Sequence, residues 1–518
     1  MLAIVDVNLD EDICNPRTAS VWYAFWGESQ ARDDYLRIFG RREAEMRERI
    51  NGLVAEVAAS GDFPGVDARA VARAFDALID SFWEDCMANP DGFDREACRA
   101  TCAAYLRSVF PGRFEGGRVA ADAVRGGRGG DAAEAGSIDG MLAPWTYRNA
   151  ELFDVEMDEL FRRNWLLAGH VSEMPEVGDY VTFEAAGERA LVIRSADGSL
   201  RAFHNVCRHR GSRVVSGESG RCRRSIVCPF HGWTYNLDGS LKNVPAADTF
   251  ADLDKSRHGL VPLELEVWHG FVFVRFAPGG PSLADEMAPV EHMVAPYRLE
   301  DMAPWAGRYR NEYDLNWKII HDVDNEGYHV PMAHPGLQQL YGRTYRDLET
   351  GGVAFSTGIV DDAPARLWSV DRYKKILPGF DHLPEDNQRL WLYVGVFPNL
   401  VFAIYPDMME YYMTVPLSVG RTAITGRAFA LADDRRETRA ARWLNNRINV
   451  ATDREDRDLC RWLQEGVRSS VFPLDNLSSI EHGVVGFHRR IKKRIPVARL
   501  AEAPAAGRVA EVNATIGR

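Results

Sequence analysis

Apolar side chains return every three or four residues along the first part of the chain, from about residue 19 to residue 110. This period predicts amphipathic helices, and Trp22 and Trp26 fall on the apolar stripe of the first of them. Asp67 and Asp94 stand where N-caps are expected, because each opens a helical stretch. The pattern predicts an all-α unit whose aromatic stripe is helix core, with a retained ligand pocket as the alternative.

The segment 112–140 is rich in Gly, Ala and charged residues and poor in large apolar ones. That composition predicts a flexible linker between two units. Its glycines do not follow a strand and do not form the dinucleotide-binding fingerprint, so we expect no nicotinamide or flavin site in the chain.

Beyond Gly178 the period of the apolar residues changes to two. Short runs such as 190–194, 200–204 and 270–276, separated by Gly, Asp and Ser, predict antiparallel strands joined by tight turns. Strands over 390–405 and 410–415 and helices near 316–330 and 437–467 follow. Six aromatic residues of these later strands are candidates for a cation cage, although sheet core is the expected position of any one: Trp391, Phe397, Phe402, Tyr405, Tyr411 and Tyr412.

Two short stretches each offer one thiol and one imidazole, C-R-H at Cys207 and His209 and C-P-F-H at Cys228 and His231. Structural zinc usually takes pairs of like ligands in close spacing. A Rieske [2Fe–2S] cluster takes two Cys on one iron and two His on the other, so each mixed loop can give one ligand to each iron. The spacing therefore favours a Rieske cluster over a zinc site.

The sequence C-R-H-R-G-S followed by C-P-F-H-G-W-T-Y-N-L-D-G resembles the cluster-binding loops of Rieske non-haem iron oxygenase alpha subunits. The resemblance covers the chain from about Pro144 to the end. The resemblance implies an α+β arrangement in two parts. These are an all-β Rieske domain over 141–280 and a helix-grip catalytic domain, an antiparallel sheet with helices, over 281–518.

The helical unit 1–111, with V-W-Y-A-F-W-G-E-S and A-L-I-D-S-F-W, resembles the C-terminal ligand and dimerisation domain of TetR-type regulators, closest to a choline-responsive repressor. The helix-turn-helix that should precede this domain is missing. We therefore expect no DNA binding, because no recognition helix is present to enter a major groove.

His329 and His334 lie five residues apart, which places them about 140° apart around an undistorted helix. Pro331 between them and Pro335 after them should distort or end the helix, so that both imidazoles can face one point. Two imidazoles and one carboxylate make the facial triad of non-haem Fe(II), with positions left open for dioxygen. The sequence E-x-Y-H-x4-H resembles the mononuclear iron motif of the same oxygenases.

The third ligand is expected in the acidic segment 453–467. On a helix, Asp456 shares the apolar stripe of Leu459 and Leu463, whereas Asp458 points nearly opposite. A carboxylate on an apolar stripe needs a partner, and a metal would supply one. We predict Asp456, with Asp453 or a purely structural ion pair as alternatives.

Glu326 precedes His329 by three residues. The resemblance implies a head-to-tail homotrimer in which this acid links His231 of one subunit to His329 of the next. The alternative is a solvated acid. Many members of the family carry Asp at this position, and the presence of Glu resembles the branch that oxidises quaternary amines. A second difference is Val323, which stands where much of the family has Asn.

Composition narrows the function classes. The chain of 518 residues has a formal net charge of −13, which argues against a nucleic-acid surface and suits a cationic or neutral small substrate. The start of the chain lacks a signal-peptide pattern and no long apolar run occurs, so we expect a cytoplasmic protein without a membrane segment. The six cysteines outside the ligand spacing are expected to be reduced thiols.

These features predict a terminal oxygenase that uses the cluster and Fe(II) to activate dioxygen and hydroxylate a small substrate, with electrons from NAD(P)H through a separate reductase. An N-methyl group of a quaternary ammonium compound of the glycine betaine, proline betaine or carnitine type is the expected target, with net N-demethylation. The alternatives are an aromatic ring-hydroxylating dioxygenase or aryl-ether O-demethylase, and a ligand-sensing or electron-transfer protein with a vestigial iron site.

Overall fold

The computed structural model describes residues 140–472, 477–478 and 480–516 and, in the N-terminal region, residues 5, 9, 14, 48, 50–55, 57–58, 63, 66–88 and 93–110. The chain divides into two compact units, Met1–Ala132 and Ala133–Arg518. The division falls within the predicted linker, most of which lies outside the described residues, as do Trp22 and Trp26.

In the first unit, the described helices are α1 (Ala68–Ala88) and α2 (Arg95–Val109). The side chain of Asp94 caps α2 by accepting a hydrogen bond from the amide of Ala97. Asp67 does the same for the amides of Arg69 and Ala70 at the start of α1. Both caps satisfy amides that have no partner within the helix. Trp83 packs against the buried core of this unit.

The second unit begins with helix α3 and a set of short antiparallel strands. Their bounds are α3 (Ala150–Glu156), β1 (Leu166–His170), β2 (Asp179–Ala185), β3 (Glu188–Arg194), β4 (Leu200–His204), β5 (Ser219–Arg221), β6 (Ile226–Val227), β7 (Thr234–Tyr235), β8 (Leu241–Asn243), β9 (Glu264–Trp268) and β10 (Phe271–Arg275). The strands form three sheets in the orders β4-β3-β2-β5, β6-β7-β8 and β1-β10-β9.

Successive side chains on a strand point to opposite faces, so strand β3 serves two cores. Leu191 and Ile193 join the core that contains Cys207 and Cys228. Val192, between them, joins the larger core of the unit.

The chain then forms the catalytic half of the unit. Its elements are α4 (Leu283–Met287), α5 (Glu291–Val294), β11 (Ala303–Pro304), β12 (Tyr309–Tyr313), α6 (Trp317–Asp324), α7 (Val330–Ala333), α8 (Pro335–Tyr341), β13 (Arg346–Thr350), β14 (Val353–Ile359), α9 (Trp368–Ile376), β15 (Leu390–Val396), β16 (Leu400–Ile404), β17 (Met409–Ser418), β18 (Arg421–Ala430), α10 (Arg436–Gly466), α11 (His482–Arg494) and α12 (Val509–Thr515).

The strands of this half form one antiparallel sheet, β11-β18-β17-β16-β15-β14-β13, with β12 also paired to β18. One face packs on the large core through residues such as Phe402 and Tyr411. The other face packs through Trp391 and Tyr405 against Leu340 of α8 and Leu444 of α10. A sheet gripped by helices on one face leaves room between sheet and helices for a cavity. Among the described helices, none combines the length and the apolar composition needed to cross a membrane.

Candidate cluster and iron sites

The two predicted cluster loops have the same backbone geometry. In the first, the Cys207 amide donates to the Ser212 carbonyl, and the Gly211 amide donates to the Cys207 carbonyl, at 2.7 and 3.0 Å. In the second loop, the Cys228 amide donates to the Trp233 carbonyl at 2.8 Å, and the Gly232 amide donates to the Cys228 carbonyl at 3.0 Å.

Both loop glycines have positive φ, 74° at Gly211 and 72° at Gly232, which a residue with a side chain rarely adopts. The loops are thus two copies of one tight turn.

The four predicted cluster ligands lie together between these loops. The thiols of Cys207 and Cys228 are buried, and the rings of His209 and His231 lie 4.6 Å apart between centroids. The His209 ring also stacks on Trp233, and its Nδ1 is buried without a hydrogen-bond partner. A buried imidazole nitrogen with a free lone pair suits a metal ligand. The donor set therefore fits a cluster with two sulfur and two nitrogen ligands.

Tyr235, which sequence reasoning did not select, touches this site. Its hydroxyl lies 3.3 Å from the Cys207 sulfur and accepts a hydrogen bond of 3.0 Å from the Arg208 amide. A cluster-bound thiolate carries no hydrogen, so toward such a sulfur the hydroxyl can only donate. Hydrogen bonds to cluster sulfurs tune the reduction potential. The Tyr-x-Leu segment after the second loop gave no signal for this contact.

The iron motif folds as the prolines require. Helix α6 ends at Asp324, the short helix α7 spans Val330–Ala333, and His334 separates α7 from α8, which begins at Pro335. This break turns the two imidazoles toward each other, with His329 Nε2 and His334 Nε2 3.0 Å apart. An uninterrupted helix would splay them.

Asp456 on helix α10 completes the group. Its Oδ1 lies 2.9 Å from His334 Nε2 and 3.7 Å from His329 Nε2, and it is buried without a hydrogen bond of acceptable geometry. One ligand atom from each of the three residues lies within 4.8 Å of the others. Two imidazole nitrogens and one carboxylate oxygen with this arrangement fit a 2-His-1-carboxylate iron site. The alternative acid Asp453 lines the same cavity but pairs with Arg457, and Asp458 is exposed and pairs with Arg461.

A second carboxylate holds each histidine ring. Glu326 accepts from the backbone amide of His329 at 3.1 Å and contacts its Nδ1 at 2.6 Å. Glu455, which the sequence did not single out, lies 2.9 Å from His334 Nδ1. Burial lowers the pKa of His334, but Asp456 and Glu455 outweigh it and the net shift is upward. Such partners fix the ring orientation and leave Nε2 free for a metal.

The three predicted ligands face a cavity of about 500 Å³ between the sheet and helices α6 and α10. Apolar side chains such as Val323, Val330 and Leu337 form part of its wall. Tyrosine rings form much of the rest, namely Tyr309, Tyr313, Tyr345, Tyr393, Tyr405 and Tyr412. Of the six aromatic candidates, Tyr405 and Tyr412 line this cavity, while Trp391, Phe402 and Tyr411 are core and Phe397 lines a smaller cavity.

Two carboxyl groups in the cavity wall carry shifted pKa values. Burial and the neighbouring Asp456 raise the pKa of Asp324 to about 8, and its Oδ2 has no hydrogen-bond partner. Burial raises the pKa of Glu410 to about 7, opposed by a hydrogen bond from Tyr309. The cavity thus combines aromatic faces with acids, a surface suited to a small organic cation.

Comparison with known proteins identifies the domains. Residues 164–260 match the Rieske [2Fe-2S] domain, and residues 301–496 match the catalytic domain of the ring hydroxylating alpha subunit. Residues 1–111 match the C-terminal part of BetI-type transcriptional repressors. The chain therefore carries the two domains of a Rieske non-haem iron oxygenase alpha subunit, which hold a [2Fe–2S] cluster and a mononuclear iron, preceded by a helical repressor-type region.

Its relatives include oxygenase subunits named for quaternary ammonium substrates. It is 38% identical over 191 residues to the glycine betaine monooxygenase oxygenase subunit of Pseudomonas aeruginosa, covering 37% of this chain and 44% of the relative. It is 37% identical over 193 residues to the carnitine monooxygenase oxygenase subunit of Escherichia coli, covering 37% and 51%. The chain thus spans about half the length of these relatives. Choline monooxygenase of Arabidopsis thaliana is 29% identical over 357 residues, 66% of this chain and 80% of that protein.

Solved structures share the fold. The quaternary ammonium Rieske monooxygenase CntA in complex with L-carnitine superposes with a TM-score of 0.58 at 24% identity, covering 70% of this chain and 99% of that one. Naphthalene 1,2-dioxygenase from Rhodococcus gives a TM-score of 0.57 at 21% identity, covering 70% and 95%. At this sequence identity, the structural similarity shows a shared fold and nothing about function.

Proposed function

We propose that this chain is the terminal oxygenase of a quaternary ammonium N-demethylase. One observation carries the proposal: the triad of His329, His334 and Asp456 faces a cavity walled by tyrosine rings and carboxyl groups. Trimethylammonium groups bind well to aromatic faces and to carboxylates. The relatives named for glycine betaine, carnitine and choline support the same substrate class.

The protein's own residues have three tasks in this proposal. Cys207, His209, Cys228 and His231 hold the cluster, and the triad holds Fe(II). The cluster supplies single electrons and the iron activates dioxygen. Glu326 and Glu455 contact Nδ1 of the two rings and so orient each Nε2 toward the metal position. The cavity wall holds the ammonium group so that one methyl carbon faces the triad.

The balance of the reaction is that of a monooxygenation. One oxygen atom of O2 enters the N-methyl C–H bond and the other leaves as water, with two electrons and two protons consumed. The C–N bond of the N-hydroxymethyl product then breaks, and its electron pair stays on nitrogen. Formaldehyde, a proton and the tertiary amine are released. Because no dinucleotide-binding fingerprint is present in the sequence, the electrons come from NAD(P)H through a separate reductase.

Assembly belongs to the same proposal. In a head-to-tail trimer, Glu326 would link His231 of one subunit to His329 of the next. Within one chain, Glu326 is held against His329, while His231 is exposed beside Phe230, which is itself 55% exposed. An exposed cluster histidine suits a neighbour that docks over it. A sedimentation measurement on the cluster-loaded protein is expected to give three copies, and a monomer would contradict the bridging role.

The function is tested by turnover with a compatible reductase, NADH and oxygen. Glycine betaine, proline betaine, carnitine, choline, aromatic acids and aryl ethers would be compared for formaldehyde and product mass. Formaldehyde with a product one methyl lighter, from quaternary amines only, is the expected result. Turnover confined to the aromatic compounds would contradict the proposal and favour a ring-hydroxylating dioxygenase or aryl-ether demethylase.

A further inference from the structure

Glu410 lies on strand β17, where the alternation of the strand turns it into the cavity. Its neighbours Met409 and Tyr411 are 0% and 2% exposed and belong to the large core on the opposite face. The residues paired with Glu410 on the adjacent strands are Ala403 and Ala428. Two alanines leave the space beside the carboxyl group open, since neighbouring side chains on one face of a sheet lie about 5 Å apart.

The carboxyl group of Glu410 has no basic partner within the described part of the chain. Tyr309 donates a hydrogen bond to it, and the other charge that affects its pKa is Asp453, which is also an acid. Asp453 is itself paired with Arg457. A carboxylate in a buried wall is costly unless a cation or several donors accompany it. Glu410 therefore accepts a hydrogen bond from Tyr309, whereas a buried carboxylate anion would need further hydrogen-bond donors or a cation.

Glu410 is also separate from the iron ligands. The pKa of Asp324, the other acid with a strong shift, responds to Asp456 and His334, so Asp324 lies near the iron ligands. Apart from burial, the pKa of Glu410 responds to Tyr309 and Asp453, and not to Asp456 or His334. Glu410 lines the same cavity as the triad, so an ammonium group bound with one methyl group directed to the triad can meet the Glu410 carboxyl group there.

We infer that Glu410 is the counter-ion of the substrate's ammonium group and the residue that makes this cavity select a cation over a neutral molecule of the same shape. The inference rests on the proposed function, because it assumes an ammonium substrate. Beyond the proposed function, the inference names the side chain that recognises the positive charge of the substrate. The rings of Tyr309, Tyr393, Tyr405 and Tyr412 favour a cation through their faces but also pack around a neutral molecule of the same shape, whereas the carboxylate of Glu410 attracts the cation alone.

The test compares choline with 3,3-dimethylbutan-1-ol, in which carbon replaces the charged nitrogen. Choline carries the trimethylammonium group and no carboxylate, so the difference in binding isolates the charge. Affinities are measured by calorimetry on the cluster- and iron-loaded protein without reductase. Glu410→Gln is expected to weaken choline binding about tenfold or more and to leave the neutral isostere within about twofold.

Two variants make the result specific. Glu410→Asp keeps the charge and is expected to retain the preference for choline. Glu312→Gln, the same change on strand β12 at a residue paired with Arg421 outside the cavity, is expected to behave as the unchanged protein. The cluster absorption spectrum and a thermal melt confirm that each variant is folded and loaded.

The outcomes separate this inference from the proposed function. A Glu410→Gln variant that keeps the full preference for choline overturns the role of Glu410, even if the unchanged protein releases formaldehyde from quaternary amines. An unchanged protein without any preference for choline over its isostere overturns it as well. Absence of formaldehyde from every quaternary amine contradicts the proposed function, while the calorimetry still decides whether Glu410 selects a cation.

Discussion

Glu455, next to a histidine predicted to bind iron, shows how much of this site depends on single residues. Glu455 orients His334, and removing such a partner typically weakens metal binding about 10- to 100-fold. We expect Glu455→Ala to lower iron affinity in that range, measured by competition with a chelator. Asp458→Ala, on the same helix but at an exposed residue paired with Arg461, is the matched control. Equal iron affinity in the two variants would show that Glu455 does not position His334.

Glu410 should also make cation binding depend on pH. Its pKa is raised to about 7 by burial, so the carboxyl group is largely neutral at pH 6 and charged at pH 8. The groups around it are Tyr309, Tyr393 and Tyr405, which stay protonated in this range because their pKa values are raised, and Asp453. Choline affinity is expected to rise severalfold from pH 6 to pH 8.

The neutral isostere and the Glu410→Gln variant are the controls for this pH dependence. The isostere should give a nearly flat profile, because it carries no charge. The Gln variant should give a shallower profile for choline than the unchanged protein, because Asp324, whose pKa is raised to about 8, still titrates in the cavity while residue 410 does not. A profile in the Gln variant as steep as in the unchanged protein would assign the titration to another group.

The same raised pKa has a consequence for stability. A carboxyl group whose pKa is higher in the folded state stabilises the fold at low pH, and this contribution is lost as pH rises through 7. Glu410→Gln is therefore expected to unfold at a higher temperature than the unchanged protein at pH 8, with a smaller difference at pH 5, in melts without ligand. A Glu410→Gln variant that unfolds at a lower temperature than the unchanged protein at pH 8 would mean that the Glu410 carboxylate has a stabilising partner in the folded protein.

At the scale of elements, a buried polar cluster joins helix α11 to helix α6, which leads into the iron motif. His488 on α11 is 0% exposed, and its Nε2 lies 2.7 Å from Asp322 Oδ1. The hydroxyl of Tyr147 donates to the other oxygen of Asp322 at 2.6 Å, and the Leu142 amide donates to His488 Nδ1 at 3.2 Å. Because Nδ1 accepts, Nε2 carries the proton and donates to Asp322.

This geometry predicts the cost of losing the imidazole. His488→Ala leaves a buried amide and one carboxylate oxygen without partners, so we expect the free energy of unfolding to fall by about 2–4 kcal/mol. Urea unfolding followed by fluorescence would measure it, with the half-buried His482 at the start of the same helix, changed to Ala, as control. A loss no larger than that of the control would show that the cluster adds little.

The elements themselves were largely predictable from the sequence, and their long-range contacts were not. Period-two runs predicted strands such as β3 and β10, and Pro331 and Pro335 predicted the break that turns the two histidines together. Those signals are local. Glu455 and Tyr235 gave none, because each acts on a residue distant in sequence, and only the folded chain places them together. The assignment of the site residues to metal binding stays a prediction until the metals are measured.

At the scale of the whole molecule, each of the two units has its own hydrophobic core. The core of the first consists of residues up to Phe110, and those of the second begin at Leu142. The four cluster residues and the iron triad all belong to the second unit. A unit with its own hydrophobic core can in principle fold without the other.

We therefore expect residues 133–518, expressed without the first unit, to bind the cluster and the iron as fully as the whole chain does. Iron and sulfide content and the cluster absorption spectrum measure this directly. Formaldehyde release from the preferred amine should change less than about twofold, because among the described residues those that line the cavity begin at Tyr309. A shortened chain that is folded and loaded but inactive would instead assign the repressor-type region a part in turnover, and choline titrations of the two forms would then show whether that part is a response to ligand.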